Sequence, residues 1–349
     1  MSLFNKNQKV GFLVQTNWAT QTTASSNFRT QLVKTGSLPD PAVVYDTFNE
    51  TSAYGNAEEV GRSYIDATSQ LKSFAFDFTP NYFDLYWYFL AMFPKVTEGG
   101  STSFQKEFTP SDFVNGSGIS YAGDGAKVFG IAQGNYNNGS NAGDGTIIHC
   151  ATLDELSFDI DFMASGVSRL MQASCKWVGN SMIADQYFSG TWEVPISNGR
   201  LSGFSLKTLT VDTVDYSAVC VKKINIAFKK NITPACVTTK VNDYDEQFEM
   251  ITTIDLVANA TSIGAFGKYA NAFANGSPVN CAFSIGNEAA KTTVGALYFE
   301  NSYGRLDANP LVTNGDKTEI RLVIKALRPA AGWSPVVSLA DGIDRTEIS

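Results

Sequence analysis

The stretch QLKSFAFDF at residues 70–78 decides the fold, because its pattern returns about half a chain later as EMITTIDL at residues 249–256. Both stretches alternate apolar and polar residues, as half-buried strands do, and each leads into a helix-like segment. When Asp77 is aligned with Asp255, the two copies are 178 residues apart, which is close to half of the 349 residues. A chain that carries one β-rich unit twice suggests assembly rather than catalysis.

Each strand is followed by a predicted helix. In the first copy Thr79 is placed as N-cap and Pro80 as the first helical residue, and Pro94 prevents continuation past Phe93. This helix, residues 80–93, is apolar on all sides, which predicts that it is buried. The second helix, about 261–273, is expected to be weaker and partly irregular, because Gly264 and Gly267 lower its propensity.

Short strand-like runs fill the rest of the chain. Residues 156–162 alternate with a clean period of two, and further runs lie at 167–177, 203–211, 222–228, 248–256, 281–285, 295–300 and 319–326. Many short strands with two helices predict a mainly β protein with two tandem β-sandwich or partial-barrel domains, each with one flanking helix.

The predicted division has four parts. Residues 1–55 form an N-terminal arm with edge strands, and residues 56–200 form the first β domain, with helix 80–93 and a long hairpin at 111–147. Residues 201–330 form the second domain, with its helix at about 261–273. Residues 331–349 form a C-terminal tail that is expected to be loose or to dock on a neighbour.

The hairpin prediction depends on a change of composition. Residues 111–147 carry nine glycines and two identical Ala-Gly-Asp-Gly turns, at 122–125 and 142–145, around the apolar run at 128–131. This pattern predicts a long hairpin that reaches away from the core. The segment contains neither a phosphate-binding loop nor a dinucleotide-binding motif, so no cofactor is predicted.

The composition excludes several classes of protein. A formal charge of −8 argues against tight, phosphate-neutralising binding of nucleic acid. Residues 1–12 lack the apolar core of a signal peptide, and no run of 18 apolar residues exists, so a soluble protein without a membrane segment is predicted. The five cysteines are widely spaced without a C-x-x-C pair, which favours buried free thiols over disulfides or a zinc site.

Three groups of residues were candidates for chemistry, and none predicts a catalytic, cofactor or metal site. The single histidine, His149, precedes Cys150, but neighbours on a strand point to opposite faces and cannot form a nucleophile–base pair. Asp159 and Asp161 share a strand face and could serve as the two carboxylates of a glycosidase. Their alternation with Phe158 and Ile160 favours a solvated face of an amphipathic strand instead.

The lysine pairs Lys222-Lys223 and Lys229-Lys230 bracket an apolar strand. One explanation is that charged strand ends prevent incorrect pairing at the edge of a sheet. An equally good explanation is that the lysines form a cation cluster that contacts acidic residues of a neighbouring subunit.

Taken together, these features resemble the two-domain tail tube proteins of long-tailed bacteriophages. The features are the polar N-terminal arm, the strand at 71–78 with its helix, the Gly-rich hairpin, the strands at 156–162 and 167–177, and the strand-plus-helix repeat at 248–273. The likeness covers nearly the whole chain and rests on architecture rather than on an invariant motif.

The resemblance implies a structural virion protein, made in the host cytoplasm and located in the viral tail. In such proteins sheets join edge to edge into rings, and the rings stack into a tube with an acidic lumen through which DNA is ejected. A duplicated chain would form a pseudo-hexameric ring as a trimer, although a hexamer is also open. A tape measure protein and tail-end proteins are the implied partners.

Two other functions remain open at this point. One is another β-rich virion component, such as a tail adaptor or a capsid-associated protein, which would form one ring without polymerising. The other is an enzyme acting on polysaccharide through Asp159 and Asp161.

Overall fold

The computed structural model describes most of the predicted strands and both helices. It describes residues 8–15, 26–31, 46–49, 63–66, 72–93, 95–100, 104–110, 128–135, 144–166, 170–179, 181–187, 190, 192–193, 206–217, 221–231, 233–234, 244–245, 248–257, 260–286, 292–314 and 317–343.

The described residues form a mainly β protein with two helices, which confirms the predicted class. In chain order the elements are β1 (Gln8–Gln15), β2 (Phe28–Gln31), β3 (Asp46–Asn49), β4 (Ser63–Asp66), β5 (Lys72–Phe78), α1 (Leu85–Met92), β6 (Lys95–Gly99), β7 (Gln105–Thr109), β8 (Val128–Asn135), β9 (Asp144–Asp161), β10 (Gln172–Gly179), β11 (Ser181–Tyr187), β12 (Trp192–Glu193), β13 (Leu206–Val211), β14 (Val214–Asp215), β15 (Val221–Lys229), β16 (Thr233–Pro234), β17 (Tyr244–Asp245), β18 (Glu249–Leu256), α2 (Ala260–Asn275), β19 (Val279–Gly286), β20 (Ala296–Leu306), β21 (Leu311–Asn314), β22 (Lys317–Ala326) and β23 (Val337–Ala340).

Nineteen of these strands belong to one hydrogen-bonded sheet, whose described pairings are antiparallel except for β12 with β2. In the part of the chain that the structure describes, this sheet is open rather than closed on itself. The 18-residue strand β9 links its two parts. The first half of β9 pairs with β8 and β11, and the second half pairs with β10 and β15.

The two sequence halves share this sheet. β9 from the first half pairs with β15 from the second half over seven residues, from Glu155 opposite Lys229 to Asp161 opposite Lys223. The resulting order is β5-β10-β9-β15-β18-β22, so six strands from both halves lie side by side. The proposed boundary near residue 200 therefore lies within a continuous sheet, and the division into two domains stays a prediction.

One aromatic core also joins the halves. Phe89 of α1 lies 5.8 Å from Phe158 of β9 and 6.3 Å from Phe299 of β20, measured between ring centroids. Phe158 and Phe299 are 5.9 Å apart, and all three side chains are fully buried. Because Phe299 belongs to the second half and the other two rings to the first, packing at this point stabilises both halves together.

Helix α1 is buried on all eight residues, as predicted, but it begins later than predicted. The carbonyl oxygen of Asn81 accepts hydrogen bonds from the amides of Asp84 and Leu85, at 3.0 and 3.1 Å, and forms a turn before the helix. The buried Tyr82 hydroxyl holds this turn by donating to the carbonyl oxygen of Ala296 at 2.9 Å. The prediction of Thr79 as N-cap is therefore wrong, because this anchored turn separates it from the helix.

Helix α2 is twice as long as α1, with 16 residues against eight, so the expectation of a weak second helix is wrong. Buried Tyr269 donates or accepts a 2.7 Å hydrogen bond with the hydroxyl of Tyr216 and fixes the helix on the sheet. Gly264 and Gly267 lie on the exposed side. Packing of an amphipathic face thus outweighs their low propensity. Among the described residues, no helix has the length and apolar character needed to cross a membrane.

The N-terminal segment differs from the sequence predictions, whereas the long hairpin stays a prediction. β1 lies between β2 and β8 as an interior strand, so residues 8–15 are not an arm or an edge. Within the predicted hairpin 111–147, the described strand β8 pairs with β9, and its Phe129 and Ile131 are buried. The hairpin residues 111–127 and 136–143 lie outside the described residues.

The C-terminal segment also contributes to the sheet. β23 pairs with β20 on one side and with β7 on the other, and all four of its residues are buried. The expectation of a loose or neighbour-docked tail is wrong for residues 337–340, because its apolar side chains complete the core of the same chain.

Candidate functional site

The candidate site is an extended surface on the six-stranded part of the sheet. We call it the polar face and define it by the half-buried or exposed polar side chains of β5, β10, β9, β15, β18 and β22: Asp77, Glu155, Ser157, Asp159, Asp161, Gln172, Ser174, Lys176, Lys222, Lys223, Asn225, Lys229, Glu249, Thr253, Asp255, Glu319, Arg321 and Lys325.

The period of two in the sequence creates this surface. On β9, Leu156, Phe158 and Ile160 are fully buried, whereas Glu155, Ser157, Asp159 and Asp161 are half-buried. Successive side chains of a strand point to opposite faces, so the core residues fix the charged residues on the other side. This arrangement confirms that Asp159 and Asp161 share one strand face.

One row of alternating charge crosses the polar face. Lys176, Glu155, Lys229 and Glu249 lie directly opposite one another on β10, β9, β15 and β18. The Oε1 atom of Glu155 lies 3.8 Å from Nζ of Lys176 and 3.9 Å from Nζ of Lys229. A hydrogen bond to Asp154 at 2.8 Å raises the pKa of Lys176. Opposite charges facing each other across strands favour this register.

A second row repeats the alternation. Asp161, Lys223, Asp255 and Arg321 lie opposite one another on β9, β15, β18 and β22. Arg321 donates two hydrogen bonds to Asp255, from Nε at 2.6 Å and from the second guanidinium nitrogen at 3.0 Å, which raises its pKa. Lys223 instead contacts Oδ2 of Asp159 at 2.9 Å.

All six cations of the polar face are paired with carboxylates. Besides the four described above, Lys222 contacts Glu319 and Lys325 contacts Glu249. The face carries seven carboxylates against these six cations. Because the pairs are partly exposed, each contributes little to stability. Their combined effect is a surface whose positive charges are already neutralised.

These contacts correct one of the two explanations of the lysine pairs. β15 pairs with β9 and β18, so Lys222-Lys223 and Lys229-Lys230 do not protect an edge. Three of the lysines contact carboxylates of the same chain, and a contact with a neighbouring subunit stays a prediction. The fourth, Lys230, is buried and donates to the carbonyl oxygen of Ala91 at the end of α1 at 2.8 Å.

A shallow hollow of about 130 Å³ lies on the polar face over β5, β10 and β9, and its lining includes Asp77, Asp159 and Gln172. Ser157 and Ser174 share a 2.7 Å hydrogen bond at its floor. Asp159 pairs with Lys223, and Asp161 accepts the amide hydrogens of Met163 and Ala164 at 2.8 and 3.0 Å. Both carboxylates thus have structural contacts in the sheet.

His149 and Cys150 lie where β9 passes from one part of the sheet to the other. Cys150 has a positive φ of 52°, so the alternation expected of strand neighbours breaks here, and both side chains are buried. The amide of Cys150 donates to Oε1 of Gln15 at 2.7 Å. Burial raises the pKa of the Cys150 thiol to about 11 and lowers the pKa of His149. The thiol is therefore protonated at neutral pH, which is unfavourable for a nucleophile.

No group of three or more histidine, cysteine or acidic side chains among the described residues is placed to hold a metal ion. Cys150, Cys175 and Cys281 are buried free thiols, as predicted, while Cys220 and Cys236 lie outside the described residues.

Several residues of the polar face were not predicted from the sequence. Lys176, Glu249, Asp255 and Arg321 each alternate with buried apolar residues on their own strands, and this signal was present. The sequence did not indicate which strands lie side by side, because the pairing of β9 with β15 joins residues about 70 positions apart.

Comparison with known proteins adds no assignment. No protein-family model matches this chain, and the curated proteins searched contain no match to it.

Proposed function

We propose that this chain is a structural virion protein that assembles into stacked rings and forms the tail tube of a long-tailed bacteriophage. DNA passes through the lumen during ejection without being bound specifically. The observation that carries the proposal is the polar face, which spans both halves of the chain and has each of its cations paired. As a part of the virion tail, the protein is made in the host cytoplasm and meets a tape measure protein and tail-end proteins.

The charge pattern suits a surface that faces moving DNA. Nonspecific DNA affinity arises when lysine and arginine side chains neutralise phosphates and release counterions. On the polar face those side chains are engaged with carboxylates, and the seventh carboxylate leaves the face slightly acidic. The whole chain has a formal charge of −8. DNA beside such a surface gains little from contact and slides freely.

The open sheet supports assembly. Among the described strands, β5 pairs only with β10 and β21 pairs only with β22, so within the described part of the chain each has one side that faces no strand. Such edges are templates for pairing with another chain. Since β9 and β15 already join the two halves edge to edge, the same mode of joining between chains would continue the sheet. Three chains of two tube-like domains each give the favoured pseudo-hexameric ring, and six chains a possible alternative.

We expect DNA affinity to appear when the counter-charges of the polar face are removed. The variant combines Glu155→Gln, Asp159→Asn and Asp255→Asn, which frees Lys229, Lys223 and Arg321 from their partners, while Lys176 keeps its contact with Asp154. Fluorescence anisotropy with a short labelled duplex measures the affinity at several salt concentrations. Each freed cation that contacts a phosphate adds about −0.9 to the slope of log K against log salt, so the slope reaches about −2.7 for three contacts.

The matched control changes the charge equally at carboxylates outside the polar face, as Glu107→Gln, Asp215→Asn and Glu300→Gln. We expect this control and the unmodified protein to bind the duplex weakly. Equal affinity of the two triple variants would contradict a role for the polar face, and so would tight binding by the unmodified protein.

A further inference from the structure

Helix α2 carries apolar side chains on two sides: one side packs on the sheet of its own chain, and the other is exposed. We call this surface the α2 stripe and define it by Ile263, Phe266, Gly267, Ala270, Phe273 and Ala274. Ile263 is 62% exposed and Phe273 is 40% exposed, and both belong to the few large apolar side chains that are exposed among the described residues.

The geometry of the helix makes the stripe continuous. At 3.6 residues per turn its six positions fall within an arc of about 120° along the helix. The side that packs on the sheet is a neighbouring arc, marked by buried Tyr269 and Ala272. Phe266 and Ala270 are half-buried and connect the two arcs. The apolar arc is therefore wider than the contact with the sheet, which is the pattern of a helix with a second partner.

The single charged residue of α2 is not placed to hinder the binding of an apolar partner. Lys268 is the only charged residue of the helix. Its Nζ atom lies 2.8 Å from Oδ2 of Asp212 and is neutralised by it. Asn271 and Asn275 mark the polar side of the helix, about 80° and 120° around its axis from Ile263.

The contacts of α1 show which part of the chain packs on a helix in this position. α1 follows β5 as α2 follows β18, so the two helices hold the same place in the repeated pattern. Residues of the following half contact α1 and the residue that follows it: Phe89 lies 6.3 Å from Phe299, and Lys230 donates to Ala91. Phe93, directly after the helix, lies 5.3 Å from Phe228. The half that follows α1 thus completes its burial.

We propose that the α2 stripe is covered by the first half of a second copy of this chain. When copies of the chain are arranged in a row, the half that follows α2 is the first half of the next copy. Contact between α2 and that half would repeat the contact that α1 makes with the second half of its own chain. The inference rests on the proposed function, because it assumes that copies of the chain assemble head to tail.

Gly267 offers a direct probe of this contact. A Cβ atom added at Gly267 would meet no atom of its own chain within 4 Å. Gly267→Ala is therefore expected to stabilise the helix in the isolated chain. A larger side chain, as in Gly267→Gln, fits the isolated chain but projects into whatever packs on the stripe.

The test compares assembly of the purified full chain and its variants by analytical ultracentrifugation over a range of concentrations. Ile263→Glu places a charge on the stripe, and Asn271→Glu places the same charge on the polar side of the same helix. We expect Ile263→Glu and Gly267→Gln to raise the concentration needed for assembly at least about tenfold, as hot-spot substitutions do. Asn271→Glu should leave it within about twofold, and circular dichroism should show all three variants folded.

A photo-crosslinking residue at position 263 identifies the partner surface. We expect crosslinked peptides from residues 1–200 of a second copy. Crosslinks to residues beyond 200, or assembly by Ile263→Glu at the unmodified concentration, would overturn the inference and leave the proposed function standing. An unmodified protein that stays monomeric at all concentrations would overturn both.

Discussion

Asp341→Ala is expected to lower the free energy of unfolding by up to about 3–5 kcal/mol, because it removes the closest partner of a buried charge. Nζ of Lys106 on β7 lies 2.6 Å from Oδ1 of Asp341, and both side chains are completely buried. Lys106 also contacts the carbonyl oxygens of Phe104 and Ile343, which remain in the variant. Glu98 remains as well, but its Oε1 atom is 3.7 Å from Nζ and its side chain is partly exposed, so it replaces the buried carboxylate only in part.

This ion pair fastens the C-terminal segment to β7. Asp341 directly follows β23, and Lys106 belongs to β7, to which β23 is paired. The loss should therefore loosen β23 and the β6–β7 hairpin first. Chemical denaturation followed by circular dichroism measures the change.

Two further variants show whether the loss of stability comes from the unpaired charge of Lys106 or from the missing side-chain packing. Lys106→Met combined with Asp341→Leu removes both charges and should recover most of the stability, since apolar replacement of a buried pair is often neutral or favourable. Lys325→Ala removes a cation from a partly exposed pair with Glu249 and should cost no more than about 1 kcal/mol. A loss below about 1 kcal/mol for Asp341→Ala would contradict the buried pair.

Phe89→Ala is expected to cost about 3–5 kcal/mol, as large-to-small substitutions of buried aromatic residues do. Phe89 is fully buried and contacts Phe158 of the first half and Phe299 of the second. Because its packing supports both halves, we expect one unfolding transition that moves as a whole to lower denaturant concentration. Near-ultraviolet circular dichroism and far-ultraviolet circular dichroism should report the same midpoint.

The control for this variant is Met163→Ala, at a side chain that is 64% exposed, which should change stability by no more than about 0.5 kcal/mol. Two separate transitions, of which Phe89→Ala shifts only one, would show that the halves are independent domains. That result would contradict the shared core.

Local patterns predicted several of the strands. The second half of β9 and the strands β15, β18 and β22 were recognised from apolar residues at every second position, which depends only on the strand itself. The buried character of α1 followed from its composition in the same way. The later start of α1 did not, because the turn at Asn81 is held by contacts of Tyr82 with Ala296, more than 200 residues away.

Contacts between distant segments account for the other differences. Nothing local to residues 337–340 indicates that β7 is their partner, and Lys106 alone gives no sign that Asp341 neutralises it. For the candidate site, the sequence placed Asp159 and Asp161 on one face but could not supply Lys223 as the partner of Asp159. That contact requires the register between β9 and β15, which is a property of the folded sheet.

Assembly of the purified chain tests the central claim most directly. Negative-stain electron microscopy at rising protein concentration should show rings with a central hole, and then stacked rings or tubes of one diameter. Single rings that never stack would favour a tail adaptor or another virion component. A species that remains strictly monomeric at high concentration would contradict the proposed tail tube subunit.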